Sequence, residues 1–419
     1  MRRLAALLAI MAALTLGWAF ATPAAAAQAG IAVTGSSVEN RFPEGLLFRL
    51  AASSDSPITE VRLRYKVLPE GILSSDRPDF QPDTAVDVSF TLEGNAPPRI
   101  YLAPGSVIRY FWELTDEAGN EFATDPATVT YDDIRFDWRV MTAGVINLHW
   151  YQGSEADARE MLEVARSTFD ELSSLLGAQV EFPVHVWLYA SADDMRPALV
   201  RRSESFERSV ITAGERVSED TVLVLGSAGA LDTLRHELAH IVTGVAGEGP
   251  FGGLPAWLDE GTAVYAQADP GGFGSALEQA VDRGNLLSLR SISSPPGDPA
   301  VVSLFYGQSW SVVSHLVDTY GAEKFARLFA TFKEGATSDD ALMAVYGFDQ
   351  DGLEDEWRAS LGLSPRERPS AAPEGEGVAS QAEGDGGTSV GLIAGLIAGV
   401  LALAAAIGLG GYLIARRLP

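Results

Sequence analysis

The sequence contains no cysteine, and its 30 Lys and Arg residues are outnumbered by 56 Asp and Glu residues, which gives a formal charge of −26. The absence of cysteine excludes a disulfide framework and restricts any metal site mainly to nitrogen and oxygen ligands. The shortage of basic residues argues against binding to nucleic acid or anionic lipid, because both partners need a positive patch. With 419 residues, 47% of them hydrophobic, the chain is nevertheless long enough for two or three folded domains.

Each end of the chain has a hydrophobic run that predicts export and membrane attachment. Residues 1–27 combine Arg2 and Arg3, an apolar stretch and an Ala-rich cleavage site, which is typical of a secretory signal peptide. Residues 390–415 are uncharged and long enough for one transmembrane helix, and the arginines of the tail at 416–419 favour a cytoplasmic C-terminus. We therefore predict a single-pass cell-membrane protein with extracytoplasmic N-terminal domains.

Glycines recur at four-residue spacing in the predicted transmembrane helix, at Gly391, Gly395 and Gly399. This spacing permits two helices to pair closely, so a dimer through this face is one interpretation and a lipid-exposed helix with small residues is the other. The segment before the helix, residues 363–389, is rich in Pro, Gly, Ser, Ala and Glu, which predicts a disordered linker.

The region at 28–137 alternates between apolar and polar side chains, for example at 61–66, 86–92 and 108–114, and turn signals separate these runs. About seven short strands of this kind predict an all-β sandwich of the immunoglobulin or fibronectin type. No catalytic constellation is evident in this region. Its predicted fold alone indicates no sharper role than spacing or binding.

The most informative stretch is LDTLRHELAHIVTG, where His236 and His240 stand four residues apart. Residues at this spacing share one face of an α-helix, so both imidazoles can reach one metal ion. A helix is favoured by the apolar residues that would form its buried side, Leu234, Leu238, Ile241 and Val242, and by the glycines at 244 and 247 where it is expected to end. Glu237 lies about 100° from His236 around the helix axis, where a general base can take a proton from a water activated by zinc.

A catalytic zinc usually takes three protein ligands, so a third ligand is expected elsewhere in the chain. Nineteen residues separate His240 from Glu260 in the segment LPAWLDEGTAVYA. This length is enough to end one helix, cross a Gly-rich loop and begin a second helix at Pro255. With Trp257 packed in the interior, Glu260 would face the metal.

HELAH followed by WLDEGTA resembles the gluzincin branch of the peptidase MA clan, the thermolysin-like and aminopeptidase-like zinc metallopeptidases. The resemblance covers roughly residues 138–362. It implies that Glu237 is the general base and that one zinc ion is the cofactor. It implies the following zinc ligands: His236, His240 and Glu260.

The resemblance also implies an α+β catalytic domain with a metal-helix lobe at 138–250 and a helical lobe at 251–362. Strand-like residues at 209–214 or 221–226 could pair with an extended substrate, or could form an ordinary internal hairpin.

Gluzincin aminopeptidases use a tyrosine after the third ligand to stabilise the oxyanion, and Tyr306 is the candidate here. If 305–320 form one helix, Trp310 shares the face of Tyr306, whereas His315 lies on the opposite side. A buried tyrosine without a catalytic duty is the alternative.

One position departs from the thermolysin-like pattern. Those enzymes carry an Asp that orients a histidine one turn after the ligand Glu, and this chain has Val264 there. Asp259 or Asp232 could supply the contact, and the sequence leaves this choice open.

The sequence thus predicts a membrane-anchored, extracytoplasmic zinc metallopeptidase acting on a peptide or protein substrate. The alternative is a catalytically inactive surface protein that binds or scaffolds through a metallopeptidase-like domain. The presence of Glu237 counts against that alternative, because an inactive protein could lose its base and keep the fold.

Overall fold

The computed structural model covers the central part of the chain in five stretches. The described residues are 30–69, 71–96, 100–200, 213–249 and 253–368. The predicted signal peptide, the predicted transmembrane helix with Gly391, Gly395 and Gly399, and most of the predicted linker lie outside them. In the stretches that are described, no helix is both long and apolar enough to cross a membrane.

Contacts between residues divide the chain into two compact units. Of the described residues, the first unit comprises those up to Glu39 and those within Leu47–Thr91 and Ile108–Val129, and the second comprises those within Asn40–Leu46 and Leu92–Val107 and those from Thr130 to 368. The domain limits that we read from the sequence stay predictions.

The N-terminal region is all β, as predicted. Its strands are β1 (Ile31–Arg41), β2 (Gly45–Val67), β3 (Ser74–Asp76), β4 (Asp83–Glu93), β5 (Asn95–Ala96), β6 (Ile100–Tyr101), β7 (Ser106–Asp116), β8 (Glu121–Ala123) and β9 (Ala127–Tyr131). Seven of them form one sheet in which β1, β2, β7 and β8 are consecutive neighbours, while β5 and β6 pair with each other. Alternation along β2 and β7 places Leu63 opposite Trp112 in the buried interior. The packing of two sheets into a sandwich stays a prediction.

A second sheet of five strands supports the candidate site. Its strands, in spatial order, are β10 (Arg139–Ala143), β11 (Ile146–Trp150), β12 (Val184–Tyr189), β14 (Thr221–Leu225) and β13 (Gly214–Arg216). The three central strands are parallel and the two outer ones antiparallel. Val186, Val222 and Val224 are fully buried, because the centre of this sheet is covered by helices. The short strand β13 forms one edge.

Helices account for most of the remaining residues that the structure describes. They are α1 (Glu155–Leu176), α2 (Ala192–Met195), α3 (Ala230–Gly247), α4 (Ala256–Tyr265), α5 (Gly272–Arg283), α6 (Val302–Tyr320), α7 (Ala322–Lys333), α8 (Ser338–Tyr346) and α9 (Gln350–Ser360). Helix α1 begins at a capping box in which Ser154 and Asp157 bond each other's backbone, and it ends at the left-handed Gly177. The helical C-terminal region is therefore confirmed, and α4 begins immediately after Pro255.

Helices α4 and α6 approach each other unusually closely at Gly261. A Cβ atom added to this glycine would lie 2.4 Å from the carbonyl oxygen of Ser309 and 2.8 Å from a methyl carbon of Val313. Only a residue without a side chain permits this approach. The close contact fixes the position of Glu260, the preceding residue on α4.

The first residues of the predicted linker are attached to the helical region. Arg366 donates to a carboxylate oxygen of Glu354 at 2.5 Å and to the carbonyl oxygen of Leu286 at 3.0 Å. Arg368 pairs with Asp355 on the same helix, α9. These bonds tie residues 364–368 to α9.

Candidate metal centre

Helix α3 positions the three residues of the HELAH motif. Its apolar side, with Leu234, Leu238 and Ile241, is buried in the core beside α1. Consequently the opposite side, which bears His236 and His240, is directed toward α4. Both histidines are nevertheless buried, with 1% and 7% of their surface exposed.

The structure brings Glu260 of α4 to the two histidines of α3. Its Oε2 atom lies 3.3 Å from Nε2 of His236 and 3.5 Å from Nε2 of His240. One ligand atom from each residue can be chosen so that all three lie within 4.8 Å of one another. This His-His-Glu group is the one such cluster of possible ligands found among the described residues.

The electrostatics of this cluster favour positive charge at the point where the three side chains meet. Burial by itself lowers the pKa of His240, but the carboxylates of Asp259 and Glu260 raise it well above its ordinary value. Burial likewise opposes ionisation of Glu260, yet His240 and His236 lower the pKa of this carboxyl below its ordinary value. A point that stabilises positive charge in this way is suited to a metal cation.

The second nitrogen of each imidazole has its own partner. Nδ1 of His240 lies 3.0 Å from Oδ2 of Asp259, whose other oxygen accepts a hydrogen bond from Thr243 at 2.5 Å. Nδ1 of His236 lies 3.0 Å from the side-chain amide of Gln267. Such partners fix the orientation of histidines that bind metals.

Val264 occupies the position of the Asp that orients a histidine in thermolysin-like enzymes, and these contacts show which nearby acidic residue contacts a histidine here. Asp259 contacts His240. Among the described hydrogen bonds, Oδ1 of Asp232 accepts from Arg235 and from the backbone N–H of Ala268 instead. At Nδ1 of His236 the partner is the uncharged side-chain amide of Gln267.

Glu237 lies beside the cluster under the edge strand β13. Its Oε2 accepts a hydrogen bond from the backbone N–H of Arg216 at 2.8 Å. Burial raises the pKa of Glu237, although the neighbouring histidines oppose the rise. Gly214 permits the close approach of β13, since a Cβ there would lie 2.9 Å from Cγ of Glu237. A buried carboxylate with a raised pKa is a suitable proton acceptor near neutral pH.

Tyr306 is buried on α6 close to the same histidines. Its ring centroid lies 6.0 Å from that of His236, and the ring stacks on Phe273 at 5.0 Å. His315 is remote from this contact: Nδ1 lies 3.3 Å from Thr319, and its ring meets Tyr320. The orientation of α6 thus agrees with the helical-face argument, whereas the role of Tyr306 stays a prediction.

The residues fit a zinc ion in both geometry and chemistry. Ligand atoms about 2.0–2.2 Å from a tetrahedral zinc lie about 3.3–3.5 Å from one another, which are the separations found between Glu260 and each histidine. Nε2 of His236 and Oε2 of Glu260 are buried and make no hydrogen bond within the described part of the chain. Two nitrogens and one carboxylate oxygen are also a ligand set that catalytic zinc sites use.

A buried His-His-Glu cluster on two successive helices, with a carboxylate next to the first histidine, is an arrangement typical of metallopeptidases. Comparison with known families agrees. The Peptidase MA superfamily model matches residues 164–362, a range that contains all five predicted site residues. This match supports a peptidase MA-like domain with a metallopeptidase-like function.

Comparisons with whole proteins are less informative. No curated protein matches the chain. Among solved structures, a bromine derivative of BhCBM56 matches 23% of this chain and 88% of its own at 14% identity and a TM-score of 0.17. A carbohydrate-binding module family 56 β-1,3-glucan binding domain matches 24% and 99% at 22% identity and a TM-score of 0.16. OgpA from Akkermansia muciniphila matches 24% and 28% at 10% identity and a TM-score of 0.20. At these TM-scores, none of the likenesses supports an argument about fold or function.

The sequence analysis missed two residues that touch the centre, Gln267 and Arg216. Gln267 follows the end of α4, seven positions after Glu260, and no motif marks it. Arg216 contributes its backbone N–H to Glu237, which any residue but proline could do. Its guanidinium also donates to the carbonyl oxygen of His240 at 2.8 Å.

Proposed function

We propose that this chain is a membrane-anchored, extracytoplasmic zinc metallopeptidase of the gluzincin type that hydrolyses peptide bonds. The observation that supports it most strongly is the meeting of His236, His240 and Glu260 at the mutual distances of zinc ligands. The Peptidase MA superfamily match over the same residues supports the reaction class.

In this proposal the three residues of the cluster hold one zinc ion. When bound, zinc lowers the pKa of a water molecule and polarises the carbonyl of the scissile bond. Glu237 accepts the proton of the attacking water. The backbone N–H of Arg216 donates to Oε2 of Glu237 and thereby orients this carboxylate. Burial of Glu237 raises its pKa and makes it the stronger base.

Tyr306 would stabilise the negative charge that develops on the carbonyl oxygen, by donating a hydrogen bond from its phenol. Its ring lies against His236, so it is next to the centre. The loss of one such donor typically lowers kcat by about 10²–10³-fold. Tyr306→Phe is therefore expected to retain zinc and to lose activity by this factor.

The membrane attachment is proposed from the sequence alone. Residues 390–415 would span the bilayer once and residues 1–27 would direct export, which places the peptidase domain outside the cytoplasm. Protease protection of intact cells tests this topology: an antibody tag at residue 30 should be digested from outside and a tag at residue 419 should not.

Metal analysis combined with peptide-library cleavage tests the proposed chemistry. The wild type should contain one zinc per chain, and His236→Ala, His240→Ala and Glu260→Ala should each lose it. Glu237→Gln should retain zinc and lose turnover by at least about 10²-fold. His315→Ala is the matched control, because this histidine lies outside the cluster.

Two results would contradict the proposal. Stoichiometric zinc in Glu260→Ala would show that another residue is the third ligand. Zinc in the wild type without cleavage of any library peptide would favour the inactive binding protein.

A further inference from the structure

Strand β13 is an edge of the five-stranded sheet, and it packs against helix α3. The N–H of Val217 donates to β14 at 2.9 Å, and the carbonyl oxygen of Ala213 accepts a hydrogen bond from β14 at 2.8 Å. Residues that bond to the neighbouring strand alternate with residues that do not in an antiparallel pair. Gly214 and Arg216 therefore direct their backbone groups away from β14.

The outward N–H of Arg216 holds the candidate base. It donates to Oε2 of Glu237 at 2.8 Å. The strand can approach α3 this closely because Gly214 has no side chain: a Cβ atom there would lie 2.4 Å from the methyl carbon of Thr233. The orientation of Glu237 thus depends on where β13 lies relative to α3.

The guanidinium of Arg216 attaches the strand to the same helix. Its Nη1 atom donates to the carbonyl oxygen of His240 at 2.8 Å, and its side chain is only 20% exposed. A carbonyl oxygen within a helix has a second lone pair that can accept such a bond. Arg216 therefore contacts α3 with its main chain at Glu237 and with its side chain three residues further on.

A glycine of α3 leaves room for this guanidinium. A Cβ atom added to Gly244 would lie 2.9 Å from Nη1 of Arg216. Glycine weakens a helix interior relative to alanine. The space that the guanidinium occupies gives this position, one turn after His240, a physical reason to lack a side chain.

The guanidinium makes a weaker contact on its outer side. Its Nη2 atom lies 3.4 Å from Oε1 of Glu248, whose side chain is 46% exposed. Water screens an ion pair of this kind, which therefore contributes little. The bond to His240 is thus the contact by which the side chain of Arg216 holds β13 in place.

We propose that Arg216 is a positioning residue for the hydrolysis proposed above: its guanidinium holds β13 on α3, and its own backbone N–H thereby keeps the carboxylate of Glu237 oriented. The inference rests on the proposed metallopeptidase function. Arg216 acts through Glu237 and does not itself touch the reacting atoms.

The test uses the full-length protein in detergent and compares three single variants with the wild type. Arg216→Met removes every donor of the side chain, and Arg216→Lys keeps the charge and one donor group. Glu248→Gln is the matched control, because it removes the ion pair and leaves the bond to His240. Zinc affinity is measured by competition with a chelator, and kcat and KM are measured with one peptide from the cleavage library.

We expect Arg216→Met to bind zinc as tightly as the wild type, because all three candidate ligands are unchanged. Its kcat and its kcat/KM should fall together by about 10²-fold, which is the effect of misplacing a catalytic group by about 1 Å. Arg216→Lys should recover part of this loss, since an ammonium group can still donate to His240. Glu248→Gln should match the wild type.

A double variant separates positioning from a general loss of structure. Adding Arg216→Met to Glu237→Gln should not lower the remaining activity further, because a residue that acts through Glu237 has no effect once that base is lost. A role in stability alone would slow the wild type and Glu237→Gln by the same factor.

The outcomes distinguish this inference from the function on which it rests. A wild type that cleaves no peptide contradicts the proposed function, and the inference falls with it. With an active wild type, normal turnover in Arg216→Met, an equal loss in Glu248→Gln, or an equal further loss in the Glu237→Gln background would each overturn the inference alone. If Arg216→Met does not fold, Gly244→Leu decides, because its side chain fills the place of the guanidinium: wild-type turnover in that variant would overturn the inference.

Discussion

Replacing Gly261 by alanine tests whether the close packing of α4 on α6 fixes the metal centre. The new Cβ would lie 2.4 Å from the carbonyl oxygen of Ser309, about 1 Å closer than an ordinary van der Waals contact. This oxygen is part of a helix backbone and cannot rotate away. The two helices must therefore separate by a substantial part of that ångström.

The magnitude follows from two opposing effects. Alanine is favoured over glycine in a helix by about 0.5–1 kcal/mol. Overpacking a core contact costs about 1–3 kcal/mol. We expect a net loss of about 1–2 kcal/mol in the free energy of unfolding. Because Glu260 precedes Gly261, its carboxylate moves with the helix, and a displacement near 1 Å can lower turnover about 10²-fold.

Urea denaturation of the zinc-free protein, zinc affinity and peptide turnover are the three measurements for Gly261→Ala. Gly274→Ala in α5 is the matched control, because its Cβ would meet only Pro270 at 3.7 Å. The control should be as stable as the wild type or slightly more so, with unchanged zinc affinity. A Gly261→Ala protein that is as stable as this control and binds zinc normally would refute the packing argument.

Three further predictions concern other contacts. Asp259→Ala should weaken zinc binding about 10–100-fold in a chelator competition, whereas Asp259→Asn should recover part of the loss because its amide oxygen can still accept. Arg366→Ala should lower the urea-derived unfolding free energy by about 2 kcal/mol, because Glu354 is only 1% exposed, while Arg368→Ala, from an exposed pair, should cost under about 1 kcal/mol. Burial and a neighbouring histidine lower the pKa of His149 from 6.5 to about 4, so the unfolded chain binds more protons between these values. The contribution of neutral His149 to the free energy of unfolding is complete above about pH 6.5 and is lost as the pH falls to about 4, a decrease of at most about 3 kcal/mol. In His149→Phe, the free energy of unfolding should depend less on pH over this range.

Patterns within short segments were sufficient to predict the helices and the strands that frame the site. The apolar residues and glycines around the HELAH motif predict α3, and Pro255 predicts the start of α4. The meeting of Glu260 with the two histidines was expected from the nineteen-residue spacing together with the resemblance of both segments to gluzincins.

The contacts from outside the motif could not be predicted in this way. The order of the strands, which makes β13 an edge beside Glu237, depends on pairings between distant residues. The choice between Asp259 and Asp232 depends on how far α4 is rotated about its axis, which the packing at Gly261 fixes. Gln267 reaches His236 from a turn whose path no periodicity describes.

The candidate ligands come from two helices, the histidines from α3 and the carboxylate from α4. An ion there would add a further link between two helices that already share the contacts of Asp259 with His240 and Thr243. The free energy of unfolding would then increase with the free zinc concentration, by about 4 kcal/mol when zinc exceeds its dissociation constant a thousandfold. Resistance to heat and to proteolysis between α3 and α4 would increase with it. A shortage of zinc would therefore lower the stability of the folded protein as well as its activity.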